Sequence, residues 1–229
     1  MVQIAEAELL IILSCAHRQR LPVYYCLCKK KGMHNSALVI VVKDREASGN
    51  TRLAEAIGDN AALRIYEQLL QHTHFIARQL RVHRYVYCNR YIEMEDIWSA
   101  GGFKKCLQGN GDTGEKLLQI FKEIFAKGYE HVVVIGADCI DLDRTHVEEA
   151  FHLLQYYDVV IGPAQYGGYY LLGMRQLFPF LFSHKAWSTP LLLQQTLDDL
   201  DSNHIFYHLL PVLSDSDEGK EEYLMHHRQ

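Results

Sequence analysis

Three carboxylates fall within six residues in Gly136-Ala-Asp138-Cys-Ile-Asp141-Leu-Asp143, directly after the apolar run His131-Val-Val-Val-Ile135. Hard divalent cations such as Mg2+ take one or two carboxylates together with water and substrate phosphate, and this cluster can supply them. The same acids can instead cap a helix. Asp143 suits that role, because it stands four residues before Val147, where a helical apolar stripe begins and acids are favoured. Asp138 follows the run too early to cap and is the better candidate ligand. Near the C-terminus, Asp217 in Leu213-Ser-Asp215-Ser-Asp217-Glu218 either caps a terminal helix around Glu221 and Tyr223 or faces Asp138 across a metal, and spacing leaves both open.

Anion chemistry is suggested by the stretch Lys43-Asp-Arg-Glu-Ala-Ser-Gly49-Asn50-Thr51-Arg52-Leu53. A cation in a first helical turn opposes the helix dipole, so Arg52 has no local structural rationale, whereas an incoming phosphate would supply one. The alternative is a surface arginine beside Glu55. Two glycine-punctuated segments add backbone that a ligand could approach closely. In Gln108-Gly-Asn-Gly111-Asp112-Thr-Gly114-Glu115-Lys116 the same spacing also suits a tight turn with Asp112 or Thr113 as cap. Gly162-Pro-Ala-Gln-Tyr-Gly167-Gly168-Tyr169-Tyr170 reads either as a β-turn or as a wall beside a substrate. In Trp187-Ser188-Thr189-Pro190, Thr189 is expected as N-cap with Pro190 at the first helical position, which leaves Trp187 as a stacking surface.

These residues need strands and helices to hold them. Ala37–Val42 is a continuous β-branched run, the pattern of a strand buried on both faces. Further strands are expected at Tyr85–Cys88, His131–Gly136, Asp158–Ile161, Tyr169–Leu172 and Ile205–Leu210. Helices are expected around Leu53–Ile57, from about Asn60 with Leu63, Tyr66, Leu69 and Leu70 on one stripe, and over Glu115–Ala126, Val147–Leu154 and Pro190–Leu200. Strands alternating with amphipathic helices argue for a βαβ-type sheet, and in open sheets of that kind ligands sit beyond the carboxyl ends of the strands. The first 36 residues have a different texture and are set apart as an N-terminal extension of unknown role, with residues 37–229 as the folded domain.

The 229 residues carry 48% hydrophobic and 22% charged side chains, which excludes a disordered or low-complexity chain. A formal net charge of −5 without a Lys/Arg stripe gives no electrostatic footprint for nucleic acid. No apolar run approaches the roughly 20 residues that span a bilayer. The six cysteines show no CxxC pair, the thirteen histidines no HExxH, and no GxSxG occurs, so zinc, disulfide and Ser-elbow chemistry are not indicated. A reduced, cytoplasmic protein is the expectation.

Taken in order, Lys43 with Asn50-Thr-Arg-Leu-Ala54, Gly111-Asp-Thr-Gly-Glu115, Gly136-Ala-Asp138-Cys-Ile-Asp141-Leu142, Gly162-Pro-Ala164 with Gly167-Gly-Tyr-Tyr-Leu-Leu-Gly173, Trp187-Ser-Thr189 and Leu213 to Asp217 form six blocks. Together they resemble a largely uncharacterised bacterial family of glycosyltransferase-A-like enzymes in the nucleotide-diphospho-sugar transferase superfamily, labelled radical-SAM/selenodomain-associated transferase type 1. The resemblance covers about residues 37–225. It implies an α/β, three-layer, Rossmann-like fold with a mainly parallel, mixed central sheet. It also implies a nucleotidyl- or glycosyltransferase binding a nucleoside triphosphate or nucleotide sugar with Mg2+ or Mn2+.

By position, the resemblance gives the metal to Asp138 and Asp217, and catalysis to Asp138 and Arg52. It gives the nucleotide to Asn50, Thr51, Arg52, Gly111, Asp112 and Glu115, and the substrate to Gly167, Gly168, Tyr169, Trp187 and Ser188. Two positions depart from the family pattern. Asn50 replaces the usual lysine of Lys-Thr-Arg-Leu, and Tyr166 replaces the acid of Asp-Gly-Gly-Tyr-Tyr. Those departures open an alternative, a catalytically lapsed relative that binds a nucleotide or a protein.

Overall fold

The computed structural model describes residues 35–42, 58–165 and 167–214. Among these residues, seven strands and four helices follow one another as β1 (Ser36–Val41), α1 (Asp59–Ala77), β2 (His83–Cys88), β3 (Phe103–Leu107), α2 (Thr113–Ala126), β4 (His131–Gly136), α3 (Arg144–Leu153), β5 (Val159–Pro163), β6 (Tyr169–Met174), α4 (Leu192–Ser202) and β7 (Tyr207–Leu209). Short 3-10 turns lie at Ile97–Ser99 and Pro179–Phe182. The strands form one sheet in the order β3-β2-β1-β4-β6-β5-β7. Only β6 runs against its neighbours, β4 and β5, so the sheet is mixed and mainly parallel, as expected.

Alternating side chains of β1 build both faces of the sheet. Leu38 and Ile40 join a core with Ala77, Leu80, Phe151 and Leu154, while Ala37 and Val39 join a second core with Ile120, Phe121, Ile124 and Leu200. The sheet is thus the middle of three layers, and β1 is buried along its length because both faces are covered.

Helix ends are fixed by specific side chains. The Asp112 carboxylate accepts from the Glu115 amide and the Glu115 carboxylate accepts from the Asp112 amide, closing a capping box at α2. Asp143 does the same for α3 with His146, as expected. Carbonyls at and just beyond the far end of α1 are met by Arg84, whose Nη1 donates to Ala77, Arg78 and Leu80.

Other expectations need correction. β3 is absent from the sequence reading because Phe103-Lys-Lys-Cys-Leu107 is an edge strand with only partial burial and no apolar run. The helix placed at Pro190 begins at Leu192. Thr189 Oγ1 accepts from the Leu191 amide and so closes the preceding turn instead of capping the helix. β1 begins at Ser36, inside the expected extension, whose residues 1–34 lie outside the described residues together with the helix expected at Leu53–Ile57.

Candidate active site at the carboxyl end of the sheet

Asp138 follows β4 by two residues and is half-buried. Its Oδ1 folds back over Gly136, where a Cβ would come within 2.5 Å of it, so the glycine makes room for the carboxylate. The segment carrying it is pinned on both sides. His72 Nε2–H donates to the Leu142 carbonyl at 2.7 Å, and Ile140 packs on Ala62, Ile65 and Leu69 of α1. Cys139 Sγ donates to the Ser214 carbonyl at 3.6 Å, which sets residues 139 and 214 side by side. The 211–214 segment reaches that position along β5, where Leu213 bridges Ala164 and donates its amide to Pro163.

The other two acids of the cluster do different work. Asp141 is exposed. The Asp143 carboxyl is raised by partial burial, but the Thr145 hydroxyl and the His146 amide that bond to it prevail and hold it below the usual carboxylate range.

The glycine-rich turn after β3 is governed by α2. Gly111 has φ +109°, and a Cβ on it would stand 2.1 Å from Glu115 Oε2, so the capping box needs glycine there. Asp112 and Glu115, expected at a nucleotide, spend their carboxylates on the helix amides that would otherwise be free for an anion. Gly114 is buried, and a Cβ on it would meet the Phe182 carbonyl and Trp187 Nε1, each at 2.5 Å. Trp187 therefore packs on α2, half-buried, with its ring edge-on to Tyr169 at 6.4 Å.

Gly167, at φ +89°, presses against the Pro190 backbone and accepts from the Leu193 amide at 2.8 Å. Gly168 has open space where a side chain would be. Ser188 is exposed with φ +60°, a strained conformation for a residue with a side chain.

Tyr169 stands two residues before Leu171, the partner of Ile135 on β4, so register puts it at the level of Ala137, beside Asp138's end of the sheet. Its hydroxyl is buried with no hydrogen-bond partner among the described residues. Burial raises its pKa far above the ordinary phenol value.

The structure thus brings Tyr169, Trp187 and Gly114 together on the α2 face and sets Asp138 at the same end of the sheet. Asn50, Thr51, Arg52 and Asp217 lie outside the described residues, as does Tyr166. Among the described residues no group of three metal-ligating side chains occurs, and no helix is long and apolar enough to cross a membrane.

Two polar residues of the glycine-rich stretch, Gln108 and Lys116, also stand at the mouth. Gln108 Nε2 donates to the carbonyls of Val42 and Tyr87, both at 2.9 Å, and its backbone amide donates to Cys88 at 2.8 Å, so it ties the ends of β1 and β2. Lys116 Nζ donates to Asn89 Oδ1 at 3.1 Å, which keeps a cation beside the end of β2. Neither role is legible in the sequence, because β3, which carries Gln108 to the mouth, writes no apolar pattern and Lys116 lies inside α2.

Beside this mouth, between α1 and the β2–β3 connection, lies a cavity of about 370 Å³. Val42 and Cys88 form part of its floor, and residues 91–98 form much of its rim.

A family model described as "Uncharacterized protein conserved in bacteria (DUF2064)" matches residues 73–189. No curated protein matches the chain. Among solved structures the chain is similar to a candidate nucleotide-diphospho-sugar transferase from Desulfovibrio desulfuricans G20, with 28% identity over 81% of this chain and 83% of that one and a TM-score of 0.74. It is also similar to a 4-diphosphocytidyl-2C-methyl-D-erythritol synthase from Anaerococcus prevotii DSM 20548, at 10% identity, 85% and 96% coverage and TM-score 0.58. A CMP:2-keto-3-deoxy-manno-octonic acid synthetase complexed with CTP matches at 13% identity, 85% and 100% coverage and TM-score 0.53. The last two speak for the fold alone.

Proposed function

The chain belongs to that family of uncharacterized proteins conserved in bacteria (DUF2064), and on this premise we propose that it is a nucleotide-binding, divalent-metal-dependent transferase acting on a nucleoside triphosphate or nucleotide sugar. The observation that carries this reading is the contact between Cys139 and Ser214. Three residues of chain span at most about 11 Å, a length that would allow Asp217, three residues beyond Ser214, to reach a metal shared with Asp138. The donor set fits a hard cation: the half-exposed Asp138 carboxylate supplies one oxygen ligand, and Mg2+ asks for few from protein.

A bound Mg2+ or Mn2+ would neutralise charge on the phosphates. Arg52, with Asn50 and Thr51, would grip those phosphates, Lys116 would add a cation at the end of β2, and Tyr169 and Trp187 would wall the substrate. Pinning of residues 139–142 to α1 and Ser214 would fix the backbone that carries Asp138, which lowers the ordering cost of binding.

In a thermal-shift series with nucleoside triphosphates and nucleotide sugars, with and without Mn2+, at least one nucleotide should stabilise the protein in a metal-dependent way. At 100 times its dissociation constant the ligand adds about 2.7 kcal/mol. Asp138→Ala should remove the metal-dependent part. An unchanged response in Asp138→Ala, or no response to any nucleotide in the wild type, overturns the proposal. Asn50 and Tyr166 favour a second reading as a binder without turnover, which is the right one if catalysis appears only after Asn50→Lys and Tyr166→Asp are combined.

A further inference from the structure

The cavity beside the mouth has a polarity opposite to that of a phosphate site. Its floor is apolar, with Val42, Tyr66, Cys88 and Trp98 all buried, and its rim carries Glu93, Glu95 and Asp96. Glu67 of α1 adds a further acid to the lining. Among the described residues no lysine, arginine or histidine lines it.

The acids are not equivalent. Asp96 is neutralised by Lys105, whose Nζ lies 2.7 Å from Asp96 Oδ1 and also donates to the Glu93 carbonyl at 2.7 Å and to Ser99 Oγ at 2.9 Å. Lys105 thereby spends its charge on holding the rim in shape, and the capping box between Asp96 and Ser99 fixes the same turn. Glu93 and Glu95 lie on that rim, exposed, and among the described residues neither side chain forms an ion pair.

We propose that this cavity is a binding site for a small protonated amine with a ring or short apolar body. The body would occupy the floor against Tyr66 and Trp98, and the ammonium would sit at the rim between Glu93 and Glu95 with the Tyr91 ring near it. Each part has a physical basis. A volume near 370 Å³ is at the small end of ligand pockets. A cation near an aromatic face gains from the ring quadrupole. Among the described residues its lining offers a phosphate no cation, and Asp138 is not part of that lining. The proposal goes beyond the transferase reading and does not depend on it.

The test uses the full chain, 15N-labelled, titrated with 2-phenylethylamine, 2-phenylethanol and 3-phenylpropanoate, three probes that share a ring and a two-carbon linker. The two tryptophans give two indole signals, identified with Trp187→Phe. The amine should shift the Trp98 signal and leave that of Trp187 in place. It should bind about tenfold tighter than the alcohol, as expected for two exposed charge pairs, and the carboxylate should not bind. Glu93→Gln with Glu95→Gln should bring amine and alcohol to parity, and 0.5 M NaCl should narrow the gap. Asp138→Ala should bind the amine as the wild type does. Equal binding of all three probes, a preference that survives the double glutamine variant, or shifts confined to Trp187 overturns the proposal. A preference for amine in a protein that ignores nucleotides would sink the transferase reading and leave the cavity assignment standing.

Discussion

At single positions, residues of the motif blocks hold the fold together. Asp112 and Glu115 belong to a family block, yet their carboxylates close the N-terminus of α2. Asp112→Ala should therefore cost about 1 kcal/mol in urea unfolding. Gly111→Ala should cost at least as much, because it strains a positive φ and drives a Cβ into Glu115. The double variant should lose less than the sum, since both changes break one box. Additive losses would show that the two residues act independently. Asp143 could be identified as a cap from spacing alone because capping is local. The engagement of Gly114 with Trp187 and Phe182 could not, since the three are brought together only by packing across the α2 face.

Among the elements, α1 and the β2–β3 connection meet through His74, whose ring packs on Trp98 and Phe103 at 5.5 and 5.2 Å. Burial, followed by the Arg78 charge, lowers its pKa below 6.5; Arg84 acts in the same direction, while the Ala100 backbone and Asp96 oppose it. His208, whose ring lies tilted against Tyr157, is lowered by burial as well, against a smaller opposing effect of Glu149. A histidine kept neutral in the native state binds fewer protons than its unfolded form, so its contribution is complete above pH 6.5 and is lost as pH falls through that value towards the folded pKa. The urea midpoint should drop between pH 7 and pH 5.5, and His74→Phe should make that drop shallower without abolishing it, because His208 remains. A drop of equal size in the variant would exclude His74 as a source. The strong strands and helices were legible because their apolar periodicity is self-contained. β3 was not, since an edge strand buries too little to write a pattern.

For the molecule as a whole, the two cores share the sheet: β1 and β4 send alternate side chains to each. Neither face can unfold while the other keeps its strands. Phe121→Ala on one side and Phe151→Ala on the other, both fully buried, should each cost about 3–5 kcal/mol. Each should still melt in one transition seen alike by far-UV circular dichroism and tryptophan fluorescence, and two separated transitions would refute a shared core. Fold class could be read from the alternation of strands and helices. The site could be read only as far as Asp138, because what surrounds that acid depends on which strands are neighbours, and the order β3-β2-β1-β4-β6-β5-β7 is not written in local spacing. Gln108 illustrates this. Its amide is a crossbar between two parallel strands just where their ladder stops, and both of its hydrogens are engaged. The aperture there has a set width before anything enters, so a visiting molecule is admitted by its fit and cannot prise the strands apart to suit itself.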